Sequence, residues 1–257
     1  MSVSLQPPYI SLSDISIRIY ERSLATTLKQ RILRREPTPP RSTSILHGVS
    51  LRVVAGERLG ILGRNGSGKT TLLRAIAGIY PIAGGTRDVL GRLAPVIGQG
   101  IGFDPELSLY ENIRLGLIYA GRYSEWTPKL QAQILDFAEL TERANEPLKL
   151  LSSGYQARLA FALSLFQNPD ILLLDETLAA GDFAFFDKAL TAMLAHMNRT
   201  PISVFVSHSE DQIRRVCTRC IVMSRGRLVV DAAPEQAILE YRRIATETAP
   251  SEFGKLP

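Results

Sequence analysis

A run of glycines between a strand pattern and a helix pattern contains the residues with the clearest chemistry. It reads Gly63-Arg64-Asn65-Gly66-Ser67-Gly68-Lys69-Thr70-Thr71. Successive backbone N–H groups in such a loop can turn toward one anion, and the positive end of the next helix adds to the attraction. Lys69 supplies a cation for outer phosphates, and the Thr70 hydroxyl is a ligand for Mg²⁺. Residues 63–71 are therefore predicted to bind a nucleoside triphosphate.

Two polar strand ends downstream supply further groups that act on a triphosphate. An apolar strand pattern at 171–174 is followed by Asp175 and Glu176, and a second one at 204–206 is followed by Ser207 and His208. In an open parallel sheet the carboxyl ends of the strands face the ligand crevice. We predict that Asp175 holds Mg²⁺ through water and that Glu176 polarises the attacking water. His208 is predicted to contact the γ-phosphate.

Two weaker signals belong to the same group. Gln99, between the glycine run and a mainly helical stretch, is a candidate contact for Mg²⁺ or the attacking water. Ser152, Ser153 and Gly154 precede an apolar helix pattern, where serine and glycine expose N–H donors to an anion. A plain helix N-cap accounts for the same residues, so both interpretations remain open.

Alternating strand and helix patterns predict how these groups are held together. Strand patterns occur at Tyr9–Tyr20, where the alternation is of an edge type, and at 45–54, Arg58–Leu62, 86–90, 171–175, 202–207 and 221–223. Helix patterns occur at 71–77, 110–120, 129–138, 153–166, 188–197 and 209–217. This order predicts an α/β fold, with a parallel sheet covered on both faces and a helical insertion at about 104–166.

The charge of the chain is concentrated in one segment. The formal net charge is +5, and residues 18–41 hold seven basic against two acidic residues. Leu24, Leu28 and Ile32 recur every four residues there, which predicts a helix with one apolar and one basic face. Such a helix suits an anionic membrane surface or a partner helix, although packing of its leucines on the core fits equally well. Few aromatics interleave with the basic residues, so nucleic acid is not an expected partner.

Composition excludes several other classes of protein. Hydrophobic residues make up 45% of the 257 residues and charged ones 21%, which are ordinary globular values. No apolar run reaches the roughly 18 residues of a membrane span, and the N-terminus lacks the pattern of a signal peptide, so a cytoplasmic location is expected. Cys217 and Cys220 form a single C-x-x-C, which is too few ligands for a zinc site, and we expect ordinary buried thiols.

The order of these motifs resembles the nucleotide-binding subunit of an ABC transporter. It runs from the glycine loop through Gln99, the 151–155 segment and Asp175-Glu176 to Ala179-Ala180-Gly181-Asp182 and His208. The resemblance implies a P-loop NTPase (RecA-like) parallel-sheet core with an antiparallel β subdomain and a helical insertion. It implies one domain over 1–257, with a core at about 1–103 and 167–231, a basic insertion at about 21–41, a helical subdomain at about 104–166, and a C-terminal helix and tail at 232–257.

The same resemblance implies how the site is assembled. Two copies would pair, and each ATP with its Mg²⁺ would lie between the loop of one copy and Ser152, Ser153 and Gly154 of the other. Asp182 would lie at that contact. Thr70, Gln99 and Asp175 would surround the metal, and Glu176, His208 and Gln99 would serve catalysis. Tyr20 is the aromatic residue nearest the position that stacks on adenine.

Several details are similar to subunits that export O-antigen, capsule or teichoic acid. They are Ser153 and Tyr155 in the 151–156 segment, residues 102–106 with Glu111-Asn112, and Thr177 directly after Glu176. This similarity implies a homodimer bound to two copies of an integral membrane subunit, at the cytoplasmic face of the inner membrane, that moves a lipid-linked polysaccharide. No C-terminal carbohydrate-binding domain is expected. Another transport substrate, or a soluble ATPase of this family that acts on nucleic acid, is the alternative.

Overall fold

The computed structural model describes residues 6–20, 42–96, 102–175 and 183–247, with the side chains of Tyr20 and a few residues near 183–190 and 247 left aside. The strands in these ranges are β1 Tyr9–Tyr20, β2 Ser42–Val54, β3 Arg58–Leu62, β4 Gly84–Leu90, β5 Leu93–Val96, β6 Ile171–Leu174, β7 Ile202–Val206, β8 Arg219–Ser224 and β9 Arg227–Ala232. The α-helices are α1 Lys69–Ile76, α2 Leu109–Tyr119, α3 Pro128–Ala138, α4 Ser153–Leu165, α5 Phe183–Arg199, α6 Glu210–Val216 and α7 Pro234–Glu247.

The larger sheet has six strands in the order β5-β6-β7-β3-β8-β9. All neighbours are parallel except β8 and β9, which form an antiparallel hairpin. The helix α1 follows the central strand β3, and helices α5 and α6 precede and follow β7. The predicted α/β class is confirmed, and the carboxyl ends of the parallel strands meet at one edge, where ligands of such sheets bind.

Hydrophobic layers cover both faces of the larger sheet. Alternate residues of a strand point to opposite faces, so Leu173 and Val204 lie in one layer while Leu172 and Phe205 lie in the other. The first layer is completed by α1 and the smaller sheet, and the second by α4, α5, α6 and α7. Burial on both faces accounts for the continuous apolar sequence of β6 and β7, each of whose residues is buried.

The smaller sheet is antiparallel and corrects one expectation. Its order is β2-β1-β4, so β1 is the central strand and not an edge strand. The alternation in β1 also changes phase, because Ile10 and Leu12 are buried on one side of an irregularity and Ile15 and Ile17 on the other. Asp14 has a φ of 55° at this bulge, which inserts residues without turning the apolar face outward. The residues between the isoleucines are polar because they lie on the solvent-facing side of this three-stranded sheet.

The three helices α2, α3 and α4 share a separate core. Leu109, Ile113, Ile134 and Leu159 are fully buried in it. Local signals set where these helices begin: a capping box on Ser108 opens α2, and Pro128 follows the N-cap Thr127 at the start of α3. The predicted helices at 110–120, 129–138 and 153–166 match these three to within one residue.

Two strands have no counterpart among the predictions. The strand β5 has only four residues and contains Pro95, which an edge strand tolerates because one side of its backbone needs no partner. The strand β9 alternates between exposed and half-buried residues at the other edge. Both strands are too short or too polar to give a strong pattern.

Among the helices that the structure describes, none combines the length and hydrophobicity that a bilayer crossing requires.

Gly60 in β3 lies where Ile213 of α6 packs against the larger sheet. A Cβ atom on Gly60 would lie 2.9 Å from Ile213 Cδ1 and 3.0 Å from Cys217 Sγ. Replacing Gly60 with Val is expected to destabilise the protein by about 2 kcal/mol through overpacking, read as a lower urea midpoint. Gly84→Val is the matched control, because the nearest atom to its Cβ is Ser16 Cβ at 3.9 Å. Equal midpoints for the two variants would contradict this close packing.

Candidate functional site

One cavity of about 890 Å³ collects most of the predicted site residues that the structure describes. It lies at the edge of the larger sheet where β3, β6 and β7 end. Its lining consists of Thr43, Ser44, Ile45, His47, Asn65, Gly66, Ser67, Gly68, Lys69, Thr70, Thr71, Asp175, Val206, His208, Arg225 and Gly226. A volume of this size suits a nucleotide or a cofactor of similar dimensions.

The loop before α1 has a backbone that only glycine permits at two positions. A Cβ atom on Gly63 would lie 2.4 Å from the carbonyl oxygen of Met223 in β8. Gly68 is the N-cap of α1 with a φ of 102°, and a Cβ atom there would lie 2.8 Å from Leu46 Cδ2. The lack of a side chain at Gly63 and Gly68 therefore lets the loop lie close against β8 and β2, and residues of the first turn of α1 line the cavity. The positive end of α1 therefore adjoins the cavity.

Lys69 is held in place by the loop itself. Its side chain is only 7% exposed, and Nζ donates hydrogen bonds to the carbonyl oxygens of Gly63 at 2.6 Å and Arg64 at 3.1 Å. The two carbonyl oxygens fix the ammonium group of Lys69 at the wall of the cavity. Such a group is suited to bind an anion that enters the cavity.

Asp175 and His208 line the cavity from neighbouring strands. Asp175 follows β6 and is 5% exposed, and its N–H donates to the carbonyl of Val96 at 3.1 Å. His208 follows β7, between Ser207, whose hydroxyl donates to Gln212 at 2.7 Å, and Ser209, the N-cap of α6. Because β6 and β7 are paired in register, both side chains emerge at the same edge.

The cavity offers a ligand set that fits Mg²⁺ together with a phosphate. Thr70 contributes a hydroxyl and Asp175 a carboxylate to the same cavity. Mg²⁺ is usually held by one or two carboxylates, water and substrate phosphates, so a complete protein cage is not needed. Within the described ranges no group of three His, Cys, Asp or Glu residues is close enough to form such a cage.

Ser152, Ser153 and Gly154 lie away from this cavity. Ser152 is the N-cap of α4, and its hydroxyl accepts a hydrogen bond from Tyr155 N–H at 3.5 Å. Both serines are exposed and Gly154 is half-buried. The N-cap interpretation holds for Ser152, and the start of α4 stays open to contact from outside.

The remaining predicted residues lie outside the described part of the chain. They are Gln99, Glu176, Asp182 and the side chain of Tyr20, together with the basic segment at 21–41. The backbone of Tyr20 is described, and it pairs with Ser42 at the end of the β1–β2 ladder.

The structure adds a wall of the cavity that the sequence did not predict. Thr43, Ile45 and His47 occupy alternate positions of β2 and therefore share one face, and Arg225 and Gly226 form the turn between β8 and β9. These residues lie far from the glycine loop along the chain, and no motif joins them to it. The only local signal is an Arg-Gly pair at the turn of a hairpin.

Cys217 and Cys220 are buried thiols against Gly60, outside the cavity. Burial raises the pKa of each thiol to about 12. Because the pKa is higher in the folded state than in the unfolded state, each thiol contributes fully to stability below about pH 8.5. This contribution is lost as the pH rises toward the pKa of the folded state.

We expect the thiols of Cys217 and Cys220 to resist a thiolate-selective reagent at pH 8 and to react in denaturant. Rapid labelling of the native protein would contradict this.

Comparisons with known proteins point to one family. The family model described as ABC transporter matches residues 46–179. The chain is 39% identical over 197 residues to the teichoic acids export ATP-binding protein TagH of Enterococcus faecalis, covering 77% of this chain and 44% of that protein. It is 35% identical over 241 residues to the O-antigen export system ATP-binding protein RfbB of Myxococcus xanthus, covering 91% and 55%. The RfbB protein of Klebsiella pneumoniae is 35% identical over 213 residues, covering 80% and 87%.

Solved structures show the same fold at lower identity. A dimeric ATP-binding cassette in a post-hydrolysis state with ADP and Pi has a TM-score of 0.68 at 23% identity, covering 88% of this chain and 98% of that one. A bacterial Atm1-family ABC exporter with ATP bound also has a TM-score of 0.68, at 22% identity, covering 96% and 43%. The chain spans about half the length of the TagH protein and of the Myxococcus RfbB protein. The match over residues 46–179 and the extended similarity to the Klebsiella protein show that the chain belongs to the ABC transporter family.

Proposed function

We propose that this chain is the ATP-hydrolysing subunit of an ABC transporter that exports a lipid-linked polysaccharide across the inner membrane. The observation that carries the proposal is the single cavity that unites Lys69, Asp175 and His208 from three parts of the chain. The relatives are named as ATP-binding proteins of O-antigen or teichoic acid export, and these names support the substrate class.

Each group then has a role in phosphoryl transfer to water. Lys69 and the loop N–H groups bind the β- and γ-phosphates. Thr70 and Asp175 would hold Mg²⁺, which would neutralise negative charge on the phosphates. Glu176 accepts a proton from the attacking water, and His208 contacts the γ-phosphate. Gln99 contacts the metal or the water, and Tyr20 stacks on adenine.

The exposed start of α4 supports a head-to-tail homodimer. Ser152 and Ser153 are exposed and do not line the cavity of their own chain. A helix N-terminus with exposed hydroxyl groups is an anion site that a second copy could present to the nucleotide. In this arrangement Ser152, Ser153 and Gly154 complete the site of the partner, and Asp182 lies at the contact.

An exposed apolar surface supports docking of the helical segment on a membrane subunit. Ile118 is 50% exposed, Tyr119 68% and Tyr123 47%, and they follow one another near the end of α2. Arg114 lies over the rings of Tyr123 and Trp126, at 5.9 and 5.1 Å from the ring centres. Adjacent exposed apolar residues commonly mark a protein interface. Two copies would then sit on two membrane subunits, peripheral to the cytoplasmic face of the inner membrane.

Loss of the gene in its host is the direct test of the substrate class. We expect a lipid-linked glycan to accumulate inside the cells, and the unmodified gene to restore export. Normal glycan at the surface of the deletion strain would contradict polysaccharide export and favour another transport substrate.

Affinity purification separates transport from the nucleic-acid alternative. Co-purification with an integral membrane subunit supports transport. Co-purification that nuclease abolishes, without a membrane subunit, would favour a soluble ATPase that acts on nucleic acid.

A further inference from the structure

We propose that Arg225, assisted by His47, is a nucleotide contact outside the glycine loop, at the junction of the α-phosphate and the ribose. This inference rests on the proposed ATP site and adds a binding residue to it. Both residues line the 890 Å³ cavity, which Lys69 and Thr70 also line.

The conformation of Arg225 is the first argument. Arg225 and Gly226 are the two central residues of the β8–β9 hairpin, with φ values of 47° and 75°, and Ser224 pairs with Arg227 on either side. Two-residue hairpin turns with both φ values positive favour Asn-Gly, Asp-Gly or Gly-Gly. Arginine in this conformation costs about 1 kcal/mol relative to glycine. Backbone strain at a residue that glycine could replace suggests that the side chain of that residue has a function.

Glu139 is a second residue whose backbone has a positive φ, and its side chain makes specific contacts. It is the other described residue with a positive φ, here 60°, that is neither glycine nor Asp or Asn. Its carboxylate binds two cations, Arg158 at 3.0 Å and Lys188 at 3.1 Å. The guanidinium group of Arg225, in contrast, makes no hydrogen bond or ion pair with another described residue, so it is available to a ligand.

The turn is bonded to both walls of the cavity. Gly226 N–H donates to the carbonyl of Ser67 in the glycine loop at 3.0 Å, and His47 N–H donates to the carbonyl of Gly226 at 2.9 Å. A Cβ atom on Gly226 would lie 2.1 Å from the carbonyl oxygen of Ile45. The position of Arg225 is therefore set by the glycine loop and β2 together.

The path of β2 indicates which part of the nucleotide lies here. Ser42 pairs with Tyr20, the predicted adenine contact, whereas Leu46 touches the Cβ position of Gly68 at the start of α1. The strand thus runs from the adenine end toward the phosphates. His47 lies beside Leu46 at the phosphate end, and the four residue steps from Thr43 to His47 span about 13 Å.

The ring of His47 is oriented by a hydroxyl group. Ser44 Oγ lies 3.2 Å from His47 Nδ1, which leaves Nε2 as the ring nitrogen for a ligand. A guanidinium group and an imidazole at one cavity can bind an α-phosphate oxygen and a ribose hydroxyl. ATP and ADP share both groups, so the contact is made equally to the two nucleotides.

Replacing Arg225 with Gly tests this assignment without weakening the turn. We expect the Kd values of Mg·ATP and Mg·ADP, measured by calorimetry, to rise by the same factor of about five. The Tm without nucleotide should rise by about 2 °C, because glycine relieves the strained turn. His47→Ala should weaken both nucleotides in the same direction.

Arg227→Ala is the matched control, since it removes the same charge from an exposed residue of the same hairpin that does not line the cavity. Unchanged Kd values for Arg225→Gly would overturn the inference, as would an equal loss in the control. Weaker ATP binding with unchanged ADP binding would also overturn it, because it would place the contact at the γ-phosphate. A fall in the Tm of Arg225→Gly together with weaker nucleotide binding would show that Arg225 stabilises the turn and does not contact the nucleotide. If the unmodified chain bound neither nucleotide, the proposed function itself would fail, so the two failures are distinct.

Discussion

Replacing Glu176 with Gln is expected to lower ATP turnover by at least about a hundredfold while Mg·ATP stays bound. The amide keeps the size of the side chain but cannot accept a proton from water, and a positioned general base contributes about 10² to 10⁴ in rate. Asp175, its neighbour in the sequence, directly follows β6 and is buried at the cavity wall. Because ATP would persist, the proposed homodimer should remain closed, which size-exclusion chromatography with ATP would show.

The control for Glu176→Gln is a carboxylate at the opposite end of the same strand. Asp170 directly precedes β6 and accepts hydrogen bonds from Arg92 at 2.8 and 3.3 Å. Asp170→Asn should keep turnover within about twofold, because the change lies far from the cavity and affects a surface ion pair. Turnover of the Glu176→Gln protein within tenfold of the unmodified value would remove Glu176 from the general-base role.

The parts of the site that could be predicted are those encoded by neighbouring residues. The glycine loop and α1 follow one another, and their backbone conformation depends on Gly63 and Gly68 within the same short segment. Asp175 and His208 could be placed together because each follows a buried parallel strand, and such strands end at a common edge. Both the loop and the common strand edge can be predicted without knowing how segments distant in the sequence pack together.

The wall formed by His47 and Arg225 could not be predicted for the opposite reason. It depends on hydrogen bonds between the β8–β9 turn, β2 and the glycine loop, which are distant in the chain. A lone histidine in a strand and an arginine in a turn have many equally plausible environments. Register and packing between the two sheets decide which environment they meet.

The assignment of β1 as an edge strand failed for a related reason. Polar residues alternate with isoleucines because one face of the small sheet is exposed, and this exposure says nothing about whether strands lie on both sides. The bulge at Asp14 also interrupts the period, since the buried positions change from Ile10 and Leu12 to Ile15 and Ile17. Alternation therefore reports the buried face of a strand but not its neighbours.

Replacing Lys69 with Ala is expected to raise the Kd of Mg·ATP by at least about thirtyfold. Lys69 Nζ is held at 2.6 and 3.1 Å from two loop carbonyls and is the buried cation at the phosphate end of the cavity. Removing one partner of a buried, hydrogen-bonded charge pair costs about 2 to 5 kcal/mol, which corresponds to a factor of about 30 or more. Isothermal titration calorimetry with Mg·ATP measures the change directly.

Two further variants show whether the loss comes from the charge of Lys69. Lys69→Met keeps most of the side-chain volume, so it should lose affinity as Lys69→Ala does while its Tm stays closer to the unmodified value. Lys149→Ala removes an equal charge from an exposed ion pair with Glu106, whose atoms lie 2.6 Å apart, and should leave ATP affinity unchanged. A folded Lys69→Met protein that binds Mg·ATP within fivefold of the unmodified chain would exclude the ammonium group as a phosphate ligand. The cavity would then have to bind phosphates through the loop N–H groups and the positive end of α1 alone, which carry only partial charges.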